Sequence, residues 1–123
     1  MDSGFIIINR AMLKWEWYHD HKAVKLLLHL LLTVNWEDKK WGGIVVKKGS
    51  LVCSFNTLSE GCGLSIKETR TALQKCIDSG EVSKISANKY QLLTLVKWEQ
   101  FQNFDNDGAN KGQTKGKQRA TTK

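Results

Sequence analysis

The sequence predicts a mixed α+β fold, mainly helical, in which a three-helix core is closed by a small antiparallel sheet. Three observations predict it. Ser65-Ile66-Lys67-Glu68 is an S-x-x-E capping box opening an amphipathic helix that runs to about Ser79. A short helical segment, Leu58 to Cys62, precedes it across the tight junction Gly63-Leu64. Two β-prone runs, Val82 to Ile85 and Tyr90 to Val96, follow it and are joined by the turn Ser86-Ala87-Asn88-Lys89. Helix, tight turn, helix and hairpin in that order read as a winged helix-turn-helix, here with an N-terminal helical extension.

The remaining elements are read from the N-terminus onward. Phe5 to Ile8 is a short β-prone run, and the aromatic-rich stretch from Ala11 to Tyr18 suits a short helix. Asp20 is placed to cap the next segment, HKAVKLLLHLLLTVNW, a helix of about four turns. Its polar residues Lys22, Lys25, His29 and Thr33 recur at spacings of three and four, so they form one narrow stripe. A helix that is otherwise apolar must be covered on more than one side; it is the predicted central core helix and leaves room for a partner chain.

Glu37 to Gly43 reads as a polar turn. Ile44 to Val46 and Leu51 to Cys53 read as two strands joined by a tight hairpin turn, Lys47-Lys48-Gly49-Ser50. Asn56 or Thr57 is placed to cap the short helix from Leu58, with Gly63 ending that helix and Gly80 the long one. The run from Tyr90 to Val96 is apolar on both faces, which predicts a central strand. Trp98 and Phe101 are expected to fold the chain end back onto the core.

One domain, residues 1–104, accounts for most of the 123 residues. Residues 105–123 contain almost no apolar side chain; burial cannot offset their ordering entropy, and a disordered basic polar tail is expected. The 19 Lys and Arg against 12 Asp and Glu give a charge of +7, which favours a polyanionic partner. Five of the 19 (Lys111, Lys115, Lys117, Arg119 and Lys123) fall in the tail, where they add nonspecific attraction.

Cys53, Cys62 and Cys76 form no C-x-x-C pair and are odd in number, which argues against a disulfide framework and for reduced thiols in the cytoplasm. The N-terminus lacks the basic segment of a signal peptide. The apolar stretch from Val24 to Val34 is broken by Lys25, His29 and Thr33 and is far short of a membrane span. No Cys or acidic cluster completes a metal set around His19, His21 or His29, and His29 is expected to be hydrogen-bonded. No G-x-S-x-G, P-loop or dinucleotide fingerprint is present, and the carboxylates are scattered. Metal, cofactor and catalysis are therefore not expected. The five tryptophans are expected in the core or at oligomer contacts, with single-strand stacking a minor alternative.

The helix from Ser65 carries the function. Ile66, Thr69, Ala72, Leu73, Cys76 and Ile77 fall on one side at helical spacing, and Lys67, Arg70, Thr71, Gln74 and Lys75 on the other. Lys67, Arg70, Thr71 and Gln74 follow an i, i+3, i+4, i+7 pattern, a single stripe. Arg presents a fork to guanine, Gln pairs with adenine, and Thr offers a hydroxyl and a methyl, all suited to the major groove of double-stranded DNA. Ser65 and the free N–H groups of the first turn suit a phosphate oxygen, while the capping box turns Glu68 back toward Ser65. The hairpin is the predicted wing, with Lys84, Asn88 and Lys89 at its tip reaching the DNA backbone or minor groove.

A family resemblance covers about Phe5 to Gln102. The segments LKWEWYHDHKAVKLLLHLLLTVNW, GIVVKKGSLVCSFNTLSEGCGLSIKETRTALQKC and NKYQLLTLVKWEQFQ resemble the N-terminal domain of phage and bacterial replication-initiation proteins of the DnaD and replisome-organiser type. The piece LSIKETRTAL is also similar to winged-helix transcription regulators. The resemblance implies a winged helix whose N-terminal elements support a homodimer or higher oligomer, and a role in loading a replicative helicase with an initiator protein. Such proteins commonly carry a second, C-terminal domain, whereas here the polar tail follows. Three functions stand open: duplex binding in replication initiation, transcription regulation, and a protein-interaction module of the replisome.

Overall fold

Local hydrogen bonds set where the helices start. Asp20 accepts the backbone N–H groups of Lys22 and Ala23 and so opens α1, His21–Thr33. Ser54 exchanges bonds with Thr57 and opens α2, Phe55–Cys62, and Ser65 exchanges them with Glu68 and opens α3, Ile66–Asp78. The computed structural model describes residues 4–87 and 89–102; Asn88 and the predicted tail, 105–123, lie outside them. Among the described residues it is a mixed α+β structure with four α-helices and two small antiparallel sheets.

The α2 start corrects the sequence reading. The cap is Ser54, not Asn56 or Thr57, because Thr57 serves as the reciprocal partner three residues into the helix. Both ends of the α2–α3 junction match expectation. Gly63 adopts φ +72° and lets the Leu64 N–H reach the Ser59 carbonyl. Gly80 adopts φ +85°, and the Glu81 N–H returns to Cys76.

At its C-terminus α1 stops at Thr33, short of the predicted Trp36. Beyond it Asn35 donates to the Ser50 carbonyl and accepts from the Gly49 N–H at 2.7 Å, so the chain leaves the helix to brace a turn. Ala23, Leu26, Leu27 and Leu30 are buried, whereas Leu32 is 64% exposed. The N-terminal run Phe5 to Ile8 forms no strand. Instead the buried Gln102 amide pairs with both the N–H and the carbonyl of Ile7. Arg10–Lys14 is a 3-10 helix capped by Asn9.

The first hairpin is displaced from its predicted place. Lys39–Trp41 (β1) pairs with Ile44–Val46 (β2) through Gly42 and Gly43, whose φ values are both positive. A two-residue loop of that geometry matches the twist of paired strands, and only Gly-rich sequences form it readily. The stretch Lys47 to Ser50 is thus no hairpin. It carries the chain from one sheet to the next, with Gly49 at φ +81° and Trp98 Cβ 3.0 Å from where a side chain would begin.

Ser50–Cys53 (β3), Val82–Ser86 (β4) and Gln91–Leu95 (β5) form the second sheet in the order β3-β5-β4. The predicted central strand is central. Gln91, Leu93 and Leu95 are buried, Leu92 and Thr94 are half-buried, and Val96 falls beyond the strand end at 55% exposed. Trp98–Gln102 (α4) brings Trp98 into the core and against Trp36, ring centres 5.2 Å apart. Phe101 belongs to α4, but its side chain lies outside the described set. Leu26 and Leu30 of α1, Leu58 of α2, Leu73 of α3 and Leu93 of β5 belong to one buried cluster. Among the described residues no helix is long and apolar enough to cross a membrane.

Candidate nucleic-acid interface

The inner and outer faces of α3 separate as the spacing predicts, with two exceptions. Thr69, Ala72, Leu73 and Cys76 are buried. Ile66, placed inside by its spacing, is 42% exposed, because the first turn of the helix projects past the core. Thr69 is fully buried and satisfies its hydroxyl by donating to the Ser65 carbonyl at 2.8 Å.

On the outer side Lys67, Arg70, Thr71 and Gln74 are all exposed. Gln74 donates to Asp78 at 2.8 Å, so it must release that carboxylate before pairing with a base. Arg70 lies with its guanidinium 4.3 Å from the centre of the Phe55 ring. Lys75 leaves the stripe. It is half-buried, pairs with the Asp20 carboxylate, and sits 4.7 Å from the Trp17 ring centre. This bond to Lys75, with those from the α1 amides, holds the Asp20 carboxyl below its ordinary pKa.

Glu68 already occupies the helix start that the spacing offers to a phosphate. Its carboxylate accepts the Ser65 N–H at 2.9 Å and pairs with Lys22 at 2.7 Å. Ser65 Oγ in turn accepts the Glu68 N–H, leaving only its proton to offer an anion. The Lys22 bond, then the Ser65 N–H, push the Glu68 pKa down to about 2 from an ordinary 4.5. Because the folded chain keeps Glu68 ionised further down the scale than the unfolded chain does, this group stabilises above pH 4.5. Its contribution is lost as pH falls toward 2. Glu68→Gln should therefore flatten the decline of Tm across that interval, followed by circular dichroism; an unchanged decline would show the carboxylate to be uninvolved.

The hairpin carries its cations unevenly. Lys84 is not at the tip: it sits in mid-β4 opposite Leu93, with Nζ 5.8 Å from the Phe55 ring centre. Lys89 is exposed at the tip, where the Ala87 N–H closes the turn onto Tyr90. The predicted contact Asn88 lies outside the described residues. Two features escaped the sequence reading. One is Phe55, which draws Arg70 and Lys84 to one ring. The other is an edge-to-face pair of Trp41 and Tyr90, 5.0 Å apart and each about half exposed. Neither leaves a sequence signal, since each joins residues from separate elements.

The other chemistry-bearing residues are occupied by packing. The three thiols are free and buried, and burial raises Cys53 to about 11 and Cys76 to about 12, far from a reactive thiolate. His29 is held by packing and not by the expected hydrogen bond: a Cβ at Gly61 would come within 2.6 Å of its Nε2. Burial lowers its pKa, assisted by Lys25. Among the described residues no group of three or more His, Cys, Asp or Glu is placed to hold a metal ion. No protein-family model, curated protein or solved structure matches the chain.

Proposed function

We propose that this chain is a winged-helix protein that binds double-stranded DNA in the cytoplasm, laying α3 in the major groove with the β4–β5 hairpin beside it. The observation that carries this reading is the outer side of α3. Lys67, Arg70 and Thr71 stand exposed there, while the opposite side of the same helix is buried in the core. A rigid, core-anchored rod with cations outward presents side chains to a groove at little further entropic cost. Support for the winged arrangement comes from the element order α1, β3, α2, α3, β4, β5 and from β5 lying between β3 and β4.

Assignment to replication initiation, with a helicase or initiator protein as partner and self-association through the N-terminal elements, rests on the resemblance of residues 5–102. A transcription regulator would use the same helix. The reading includes no catalysis. A protein-interaction module is favoured by a different observation: Trp41, Ile44 and Val45 of the first hairpin are 44%, 52% and 56% exposed. Such a cluster suits a protein contact.

Titration of labelled duplex and single-stranded DNA against the full chain separates these readings. Duplex should bind more tightly, with a log–log salt slope of about −4 if four or five phosphates are engaged. A flat salt response, or no preference for duplex, would leave only the interaction module.

A further inference from the structure

Three elements of the fold meet at one ring. Ser54 caps α2 and thereby places Phe55 at the first helical position, where it is half-buried. Arg70, in the second turn of α3, lays its guanidinium carbon 4.3 Å from the ring centre. Lys84, in mid-β4, brings its ammonium to 5.8 Å from the same centre. Among the described residues neither cation has a carboxylate partner, unlike Lys22, Lys48, Lys75 and Lys97. Two like charges gathered on one ring repel each other, and the electron-rich face offsets only part of that repulsion. An anion between them would remove it.

We propose that Arg70 and Lys84 grip a single backbone phosphate of bound DNA, and that Phe55 is the positioning residue that assembles the grip. The inference rests on the duplex-binding reading of α3 and sharpens it. A guanidinium stacked on a ring has lost much of its rotamer freedom before the DNA arrives, so less is lost on binding. The same stacking draws Arg70 toward β4 and away from base edges. Arg70 therefore serves position, not sequence, and its contribution is alike on every duplex.

The test compares wild type with Phe55→Leu, Phe55→Trp, Arg70→Ala, Lys84→Ala and their combinations. The measurement is fluorescence anisotropy on two duplexes of unrelated sequence, with thermal melts as the folding control. Arg70→Ala and Lys84→Ala should weaken both duplexes by the same factor. The double variant should lower the salt slope by about one, since one phosphate contact is lost. Phe55→Leu removes no charge, yet should weaken binding about threefold to fivefold; Phe55→Trp, which keeps an aromatic face, should restore it. In the Arg70→Ala/Lys84→Ala background, Phe55→Leu should have no further effect.

Wild-type affinity for Phe55→Leu would overturn the positioning role, as would an equal loss in the background lacking both cations. A slope reduction of two for the double variant would mean two separate phosphates. A change of base preference in Arg70→Ala would mean that this side chain reads sequence. Either outcome overturns the grip, and neither requires a Phe55 variant to fold. If Arg70→Ala and Lys84→Ala both bind as wild type does, the groove assignment of α3 itself fails, which is distinct from failure of the Phe55 variants alone.

Discussion

Leu73→Ala is expected to cost about 3 kcal/mol of stability, within the range of about 2–5 kcal/mol for buried Leu truncations. Leu73 is 1% exposed and lies in the same buried cluster as Leu26, Leu30, Leu58 and Leu93. The loss has two parts: the transfer free energy of the removed methyl groups, and the void left between three helices that cannot all move inward together. In a domain of about 100 residues this corresponds to a fall in Tm of roughly 12–24 °C. Urea denaturation followed by circular dichroism measures it. A change of under about 1 kcal/mol would mean that the side chain is not enclosed as described.

The outer side of the same helix should behave in the opposite way. Lys67→Ala/Arg70→Ala is expected to leave stability within about 0.5 kcal/mol of wild type, because both side chains stand in solvent and neither forms an ion pair among the described residues. Binding to duplex DNA should fall on the order of a hundredfold, at about 1–3 kcal/mol for each lost contact. The expected result is thus a folded protein that no longer binds at moderate salt. Lys75→Ala is the informative control. Its ammonium is engaged by Asp20 and Trp17, so its replacement should loosen the packing of α1 on α3 more than it weakens DNA binding. If the double variant binds duplex as wild type does, α3 is not the reading helix.

These two outcomes come from one amphipathic pattern, and that pattern was legible because a helix turns by a constant angle per residue. Thr69, Ala72, Leu73 and Cys76 could go only to one side, and Lys67, Arg70 and Thr71 only to the other. The caps at Asp20 and Ser65 and the stops at Gly63 and Gly80 were legible for a related reason. Each closes a hydrogen bond to a partner two to five residues away, so the bonding residues stand together in the chain. The central position of β5 followed from apolar residues on both of its faces.

What sequence spacing left undecided was which distant groups meet. Residues 39–53 contain two glycine-bearing turns, and both fit a hairpin by composition. Gly42-Gly43 takes that role because β3 is claimed by β5, a pairing across about 40 residues of chain that local pattern does not encode. Lys75 was assigned to the outer stripe by angle alone, and its partner Asp20 lies 55 residues earlier. Phe55 was read as a residue before a helix and proves to be the ring on which Arg70 and Lys84 converge. Repeating angles and near-neighbour bonds are properties of the chain itself, so the amino-acid order alone determined the helices, their ends and the polar side of α3. The pairing of strands and the company each cation keeps depend on how finished elements pack, and only the tertiary structure decided them.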